Sequence, residues 1–235
     1  MPLSAGSIAF VGFNSDGNDD LAFVALVDIP VGEVVYFEDN EWNGTGFTDT
    51  NENGFSWTVT EAVAAGTIVR INNIFNAAAA GGVSASTGAI AYLASRGSNR
   101  GIGNSDEVIY AYQGSPGTPT VFLTAVANGG FGANGSLVGT GLAVGTTALD
   151  LGALDDDLDI AAYVGSRTGQ ANFSDYLSVI NNPTAATWQF QDASNDQSAD
   201  GTPPDVPFSA TAFTTGVTPP RPTVTLSVSS NMGSE

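Results

Sequence analysis

The chain has 235 residues, 42% of them hydrophobic, with 29 glycines, 11 prolines, no cysteine and no histidine. Its formal net charge is -19, from 24 acids against five bases, all of them arginine. Disulfides, thiolate metal sites, Ser–His dyads and histidine zinc centres are excluded, and a surface of this sign repels nucleic-acid backbones and anionic membranes.

The apolar content suffices for a large core, and the length suits one β-sandwich or barrel. Abundant Gly, Pro, Thr, Ser and Val favour short strands joined by turns. Ser7–Phe13 and Asp20–Asp28 read as strands with nearly continuous apolar runs, the pattern of strands covered on both faces. Between them lies Asn14-Ser15-Asp16-Gly17-Asn18-Asp19, a hairpin loop crowded with oxygen donors. Pro30 and Gly32 turn the chain into the apolar run Val34 to Phe37, which leads straight into Glu38, Asp39 and Glu41.

Phe55–Thr60 and Thr67–Ile74 alternate as half-buried strands do. Asn76–Gly88 is rich in small residues and reads as a loop, and Ala89–Ala94 as a short strand. Glu107–Gln113 and Thr120–Val126 read as a strand pair around a Gly114–Pro119 turn. The glycine-rich stretch Asn128–Gly145 is long for a structureless loop, which suggests a functional or extended surface segment. Leu158–Val164 reads as a strand. Asn172–Asn181 carries Phe173, Leu177 and Ile180 at helical spacing, with Pro183 beyond its end. Trp188–Phe190 and Val206–Phe213 read as closing strands. No stretch reaches the ~18 apolar residues of a membrane-spanning helix, and the opening MPLSAGS lacks the basic start and apolar core of a secretory signal.

Asp49-Thr50-Asn51-Glu52-Asn53-Gly54 fits the first half of a calcium loop, in which alternate oxygen ligands precede a glycine that permits the sharp turn. The twelfth position of such a loop is Thr60 rather than glutamate, Glu61 comes one residue late, and no helices flank it, so it is not an EF-hand. Glu38, Asp39 and Glu41 are available to complete the shell. The candidate metal ligands are Asp39, Glu41, Asp49, Asn51 and Asn53, and the expected ion is calcium. The alternative is a solvated Asn/Asp turn.

Asp39 and Glu41 also resemble a paired-carboxylate catalytic site, but the run Glu38-Asp39-Asn40-Glu41 lacks the alternation over a longer strand expected of a glycosidase. Two further acidic groups are Asp150 with Asp155, Asp156, Asp157 and Asp159, which either binds calcium or, the favoured reading, lies solvated, and Asp192 with Asp196, Asp200 and Asp205, which reads as a loop surface. Trp42, Tyr110 and Tyr112 offer rings on which a sugar can stack, whereas Trp57 and Trp188 read as core. The Gly-x-Gly pairs lack the context of a phosphate loop. No nucleic-acid or membrane-inserting role is expected.

The phrases GSIAFVGFNSDGNDDLAFVALVDIPVGEVVYFEDNEW, DEVIYAYQGSPGTPTVFLTAV and DIAAYVG resemble an N-terminal module of large secreted bacterial, especially cyanobacterial, multidomain proteins. The tail PTVTLSVSSNMGSE resembles the opening strand of a Calx-beta repeat. The resemblance implies a β-sandwich over residues 3–213, a proline-rich linker over 214–222 and the first strand of a truncated Calx-beta-like domain over 223–235. It also implies export to the cell surface or medium, further domains of the same polypeptide, and a calcium-associated structural, adhesive or glycan-contacting role. It supplies no catalytic residue. The expected fold is all-β, a sandwich or jelly-roll-like assembly with one short helix near 172–181. The competing functions are a carboxylate- or metal-dependent extracellular hydrolase and a self-assembling surface-layer or filament subunit.

Overall fold

The computed structural model describes residues 2–75 and 82–216. Within them the chain forms β1 (Ile8–Asn14), β2 (Asp20–Ala25), β3 (Val34–Glu38), β4 (Gly54–Thr58), β5 (Ile68–Asn72), β6 (Ser84–Ala85), β7 (Ala89–Tyr92), β8 (Val108–Ser115), β9 (Thr118–Ala127), β10 (Ala148–Asp150), β11 (Ile160–Tyr163) and β12 (Trp188–Gln191). One short helix, α1 (Tyr176–Ile180), follows a 3-10 turn at Phe173–Asp175. The strands make two sheets, in the orders β12-β11-β1-β2-β5-β6 and β10-β9-β8-β3-β4-β7. Among the described residues, the expected all-β sandwich with one late helix is what the chain forms.

The two sheets meet through aromatic side chains. Phe10 and Phe23 of the first sheet pack against Phe37 and Trp57 of the second, with ring centroids 5.1 to 6.2 Å apart. In β1 the register with β2 shifts between Phe10 and Gly12. The extra residue turns Gly12 to the outer face, where a Cβ would lie 2.7 Å from the Phe208 ring. Every residue of β1 and β2 is buried, because the segment after β12 covers the outer face of their sheet.

That segment corrects the expectation of a strand at Val206–Phe213. Pro203, Pro204 and Pro207 remove backbone donors, so it cannot form a ladder. It is pinned instead by side chains. Arg167 donates to the carbonyls of Ser209 and Thr211, and the Phe213 ring meets Tyr163 and Tyr176 at 5.7 and 4.8 Å. In α1 Ile180 is buried, as its spacing predicts, while Tyr176 joins it on the core side.

The glycine-rich stretch 128–145 also has a structural task. It covers the outer face of the second sheet, where Trp42, Tyr110, Tyr112, Phe122 and Leu142 form a second apolar cluster. Trp42 Nε1 donates to the Val138 carbonyl and the Tyr110 hydroxyl to that of Ser136. The rings expected to offer a sugar platform are thus buried. Of the loop expected at Asn76–Gly88, residues 76–81 lie outside the described residues, and Ser84–Ala85 pairs with β5. The linker beyond residue 216 and the whole Calx-beta-like tail also lie outside them.

Candidate metal centre

Strand alternation separates the acids that close β3. Phe37 points into the sandwich, so Glu38 points outward and Asp39 returns to the inner side at the strand's end. Among the described residues Glu38 therefore joins no group of acids that could hold a cation. Its buried carboxylate is paired with Arg96 and accepts hydrogen bonds from Asn40 Nδ2 at 2.9 Å and the Tyr112 hydroxyl at 2.7 Å.

The loop between β3 and β4 then gathers the remaining acids. The Asp39 amide donates to the Asn53 carbonyl, and the Glu52 amide to Asn40 Oδ1. A bridge between Trp42 and Phe47 closes a small inner hairpin, with the Thr48 amide bonded to the Glu41 carbonyl. This brings Asp49 back beside Glu41. Behind Glu52 lies Gly97, at φ 126°, where a Cβ would sit 2.1 Å from the Glu52 carbonyl oxygen. Only glycine fits that approach. Glu107, at the entry to β8, arrives from the neighbouring strand.

Five carboxylates converge as a result. Ligand oxygens of Asp39, Glu52 and Glu107 lie within 4.8 Å of one another, and so do those of Glu41, Asp49 and Glu52. An open cleft of about 290 Å³ over them is lined by Glu41, Glu52, Ser105, Asp106, Glu107 and Asn134. Asp39 is only 4% exposed, and its Oδ1 has no hydrogen-bond partner; the same holds for the buried atoms Glu41 Oε2 and Asp49 Oδ1.

No arginine compensates this charge among the described residues. Arg96 is held by Glu38, Arg167 by backbone carbonyls, and Arg100 lies over the Tyr92 ring at 3.9 Å. Four of the five acids consequently hold their protons above the usual carboxylate range. Burial pushes Asp39 strongly up, and the charges of Glu107 and Glu52 add to it. Burial likewise raises Glu107, and burial raises Glu41, with the facing Asp49 carboxyl adding to it. Glu52 is pushed up to about 7 by burial and by Glu107, Glu41 and Asp49.

Of the residues singled out in the sequence, Asp39, Glu41 and Asp49 lie in this centre. Asn51 is exposed, and Asn53 is buried with its side-chain amide donating to the Arg100 carbonyl at 3.1 Å. Glu52 and Glu107 were not singled out. The readable signal for Glu107 is an acid pair, Asp106-Glu107, at the entry to an apolar strand, the mirror of Glu38-Asp39 at the end of β3. The other acidic runs shape turns: Asp157 accepts from the Asp106 amide, Asp196 from Ser198, Asp200 from the Thr202 amide.

With neither histidine nor cysteine in the chain, an oxygen-only set of this kind suits a hard cation of flexible coordination, calcium rather than a transition metal. Ser105 and Asn134 are further oxygen sources on the cleft wall. Carboxylates this close, left without a cation, must share protons.

A pH dependence follows. Asp39, Glu41, Glu52 and Glu107, and Asp19, which burial pushes up to about 7, have folded-state values above their unfolded ones. The ion-free fold therefore binds more protons than the unfolded chain. Their contribution is fully present below about pH 4 and is lost as pH rises towards about 7. Chelated protein is expected to melt higher at pH 5 than at pH 7.5, and calcium affinity is expected to tighten over the same interval as protons are displaced. Melts in chelator and calcium titrations at both pH values check this; a higher ion-free melting temperature at pH 7.5 contradicts it.

No family model, curated protein or solved structure matches this chain.

Proposed function

We propose that this chain is a non-catalytic, calcium-binding module of a large secreted or cell-surface protein, with a structural or adhesive role. The observation that carries this reading is Asp39: a carboxylate buried among other carboxylates, with one oxygen lacking any donor and no arginine paired with it. A buried anion without a partner is costly, and a bound cation removes the cost. Calcium at the ~10⁻³ M of extracellular fluids keeps sites of modest affinity filled, which supports an exported setting. The absence of cysteine is compatible with it.

The test compares three variants. Asp39→Ala and Asp49→Ala are expected to weaken calcium binding at least ~10-fold, whereas Asp196→Ala, in a turn bonded to Ser198, leaves it unchanged. Calorimetric titration separates the outcomes. Equal binding by all three variants contradicts the assignment.

A second reading has an observation of its own. The acids converge beneath an open cleft, and Glu52 titrates near neutrality, as a carboxyl general acid or base does. Against it, one dense cluster of five acids repels anionic phosphoesters. Screening the purified chain with calcium against phosphoester, ester and polysaccharide substrates decides between the readings. Turnover abolished by Glu52→Gln supports a hydrolase. Self-assembly through strand edges is disfavoured: the sheets end in β12 and β6, and in β10 and β7, all two to four residues long.

A further inference from the structure

We propose that the centre holds two calcium ions side by side, an inner one on Asp39, Glu52 and Glu107 and an outer one on Glu41, Asp49 and Glu52, bridged by the Glu52 carboxylate. This rests on the calcium reading given above and specifies how many ions that centre takes and which residue joins them.

Calcium–oxygen bonds of about 2.3–2.6 Å allow two ligands of one ion to be at most about 5 Å apart. Each triad meets that limit, and Glu52 is common to both. A carboxylate has two oxygens, so one residue can serve two ions, which in paired centres sit about 3.5–4 Å apart.

Neither ion alone satisfies the site. An ion on the inner triad leaves Glu41 Oε2 and Asp49 Oδ1 buried without a donor. An ion on the outer triad leaves Asp39 Oδ1, in the most deeply buried of the five acids, in the same condition. Without ions, Asp39 faces Glu107 and Glu41 faces Asp49. A carboxylate facing a carboxylate has no donor unless the two share a proton. One such pair lies in each triad. Charge leads to the same count: one divalent ion on five carboxylates leaves three negative charges, and two ions leave one.

The two positions differ in access. Each triad reaches the cleft through two of its acids, Glu52 with Glu107 or Glu52 with Glu41, but the third ligand of the inner ion, Asp39, is buried, whereas that of the outer ion, Asp49, is partly exposed. The inner ion is therefore expected to exchange more slowly. Its loss is expected to weaken the outer site, because Glu52 loses the cation that orients it.

Equilibrium dialysis of the full chain against calcium chloride at pH 7.5 counts the ions. Two per chain are expected. Glu107→Gln and Asp49→Asn are each expected to retain one, and Glu52→Gln less than one at a concentration that saturates the unaltered chain. Circular dichroism confirms that each variant keeps the strand signal. One ion per chain in the unaltered protein overturns the paired arrangement while leaving the calcium reading in place, and so does a Glu52→Gln variant that still binds two. No bound calcium at all overturns both.

Discussion

Saturating calcium is expected to raise the melting temperature of this chain by about 5–11 °C over the same protein in chelator at pH 7.5. A ligand that binds only the native state adds about 2.7 kcal/mol at 100 times its dissociation constant. For a domain of about 200 residues each kcal/mol moves the midpoint by about 2–4 °C. The effect is specific to the folded state because the acids meet only there: Asp39, Glu52 and Glu107 are brought together by the β3–β4 loop and the β3–β8 pairing. Superimposable melts in calcium and in chelator contradict the account. The rise is also expected to shrink at pH 5, where protons compete for the same oxygens.

The second large effect concerns the neighbouring acid that the centre excludes. Arg96→Met is expected to cost about 3–5 kcal/mol, the usual consequence of removing one partner from a buried ion pair. The Glu38 side chain is fully buried and that of Arg96 is only 11% exposed. The Arg96 guanidinium also lies 5.4 Å from the centre of the Phe47 ring, so packing is lost together with charge. Urea unfolding of Arg96→Met, and of Arg96→Met combined with Glu38→Gln, separates these contributions. In the double variant no charge is left buried; the glutamine oxygen can still accept from Asn40 Nδ2, and its amide can donate to the Tyr112 oxygen. It is expected to recover at least half of the loss. A double variant as unstable as the single one shows that packing, not the stranded charge, is responsible.

Much of the fold was legible because the patterns that specify it are local. The unbroken apolar runs of β1 and β2 read as doubly covered strands, and both are buried throughout. The helix near 172–181 was visible from Phe173, Leu177 and Ile180, although it is shorter and begins as a 3-10 turn. Val206–Phe213 misled because apolar residues at strand-like spacing also serve as anchors: Phe208 and Phe213 are buried, yet the prolines before them forbid a ladder. In the same way, Trp42, Tyr110 and Tyr112 read equally well as exposed or covered, since what covers them comes from residues 128–145.

The centre was half legible for a different reason. Asp39, Glu41 and Asp49 lie close in sequence at a strand end, and proximity alone makes them candidates. The calcium-loop template passed over Glu52 because it assumes a loop wrapped around one ion, with ligands at alternate positions. Here the loop is a hairpin pinned by the Trp42–Phe47 bridge, which exposes Asn51 and turns Glu52 inward. Glu107 required knowing that β8 lies beside β3, a long-range pairing with no local signature.

The most direct measurement is anomalous scattering from crystals of the chain grown in millimolar calcium. A peak is expected about 2.3–2.6 Å from oxygens of Asp39, Glu52 and Glu107. The absence of any peak at these carboxylates under saturating calcium, with Asp39 Oδ1 still facing only protein, contradicts it.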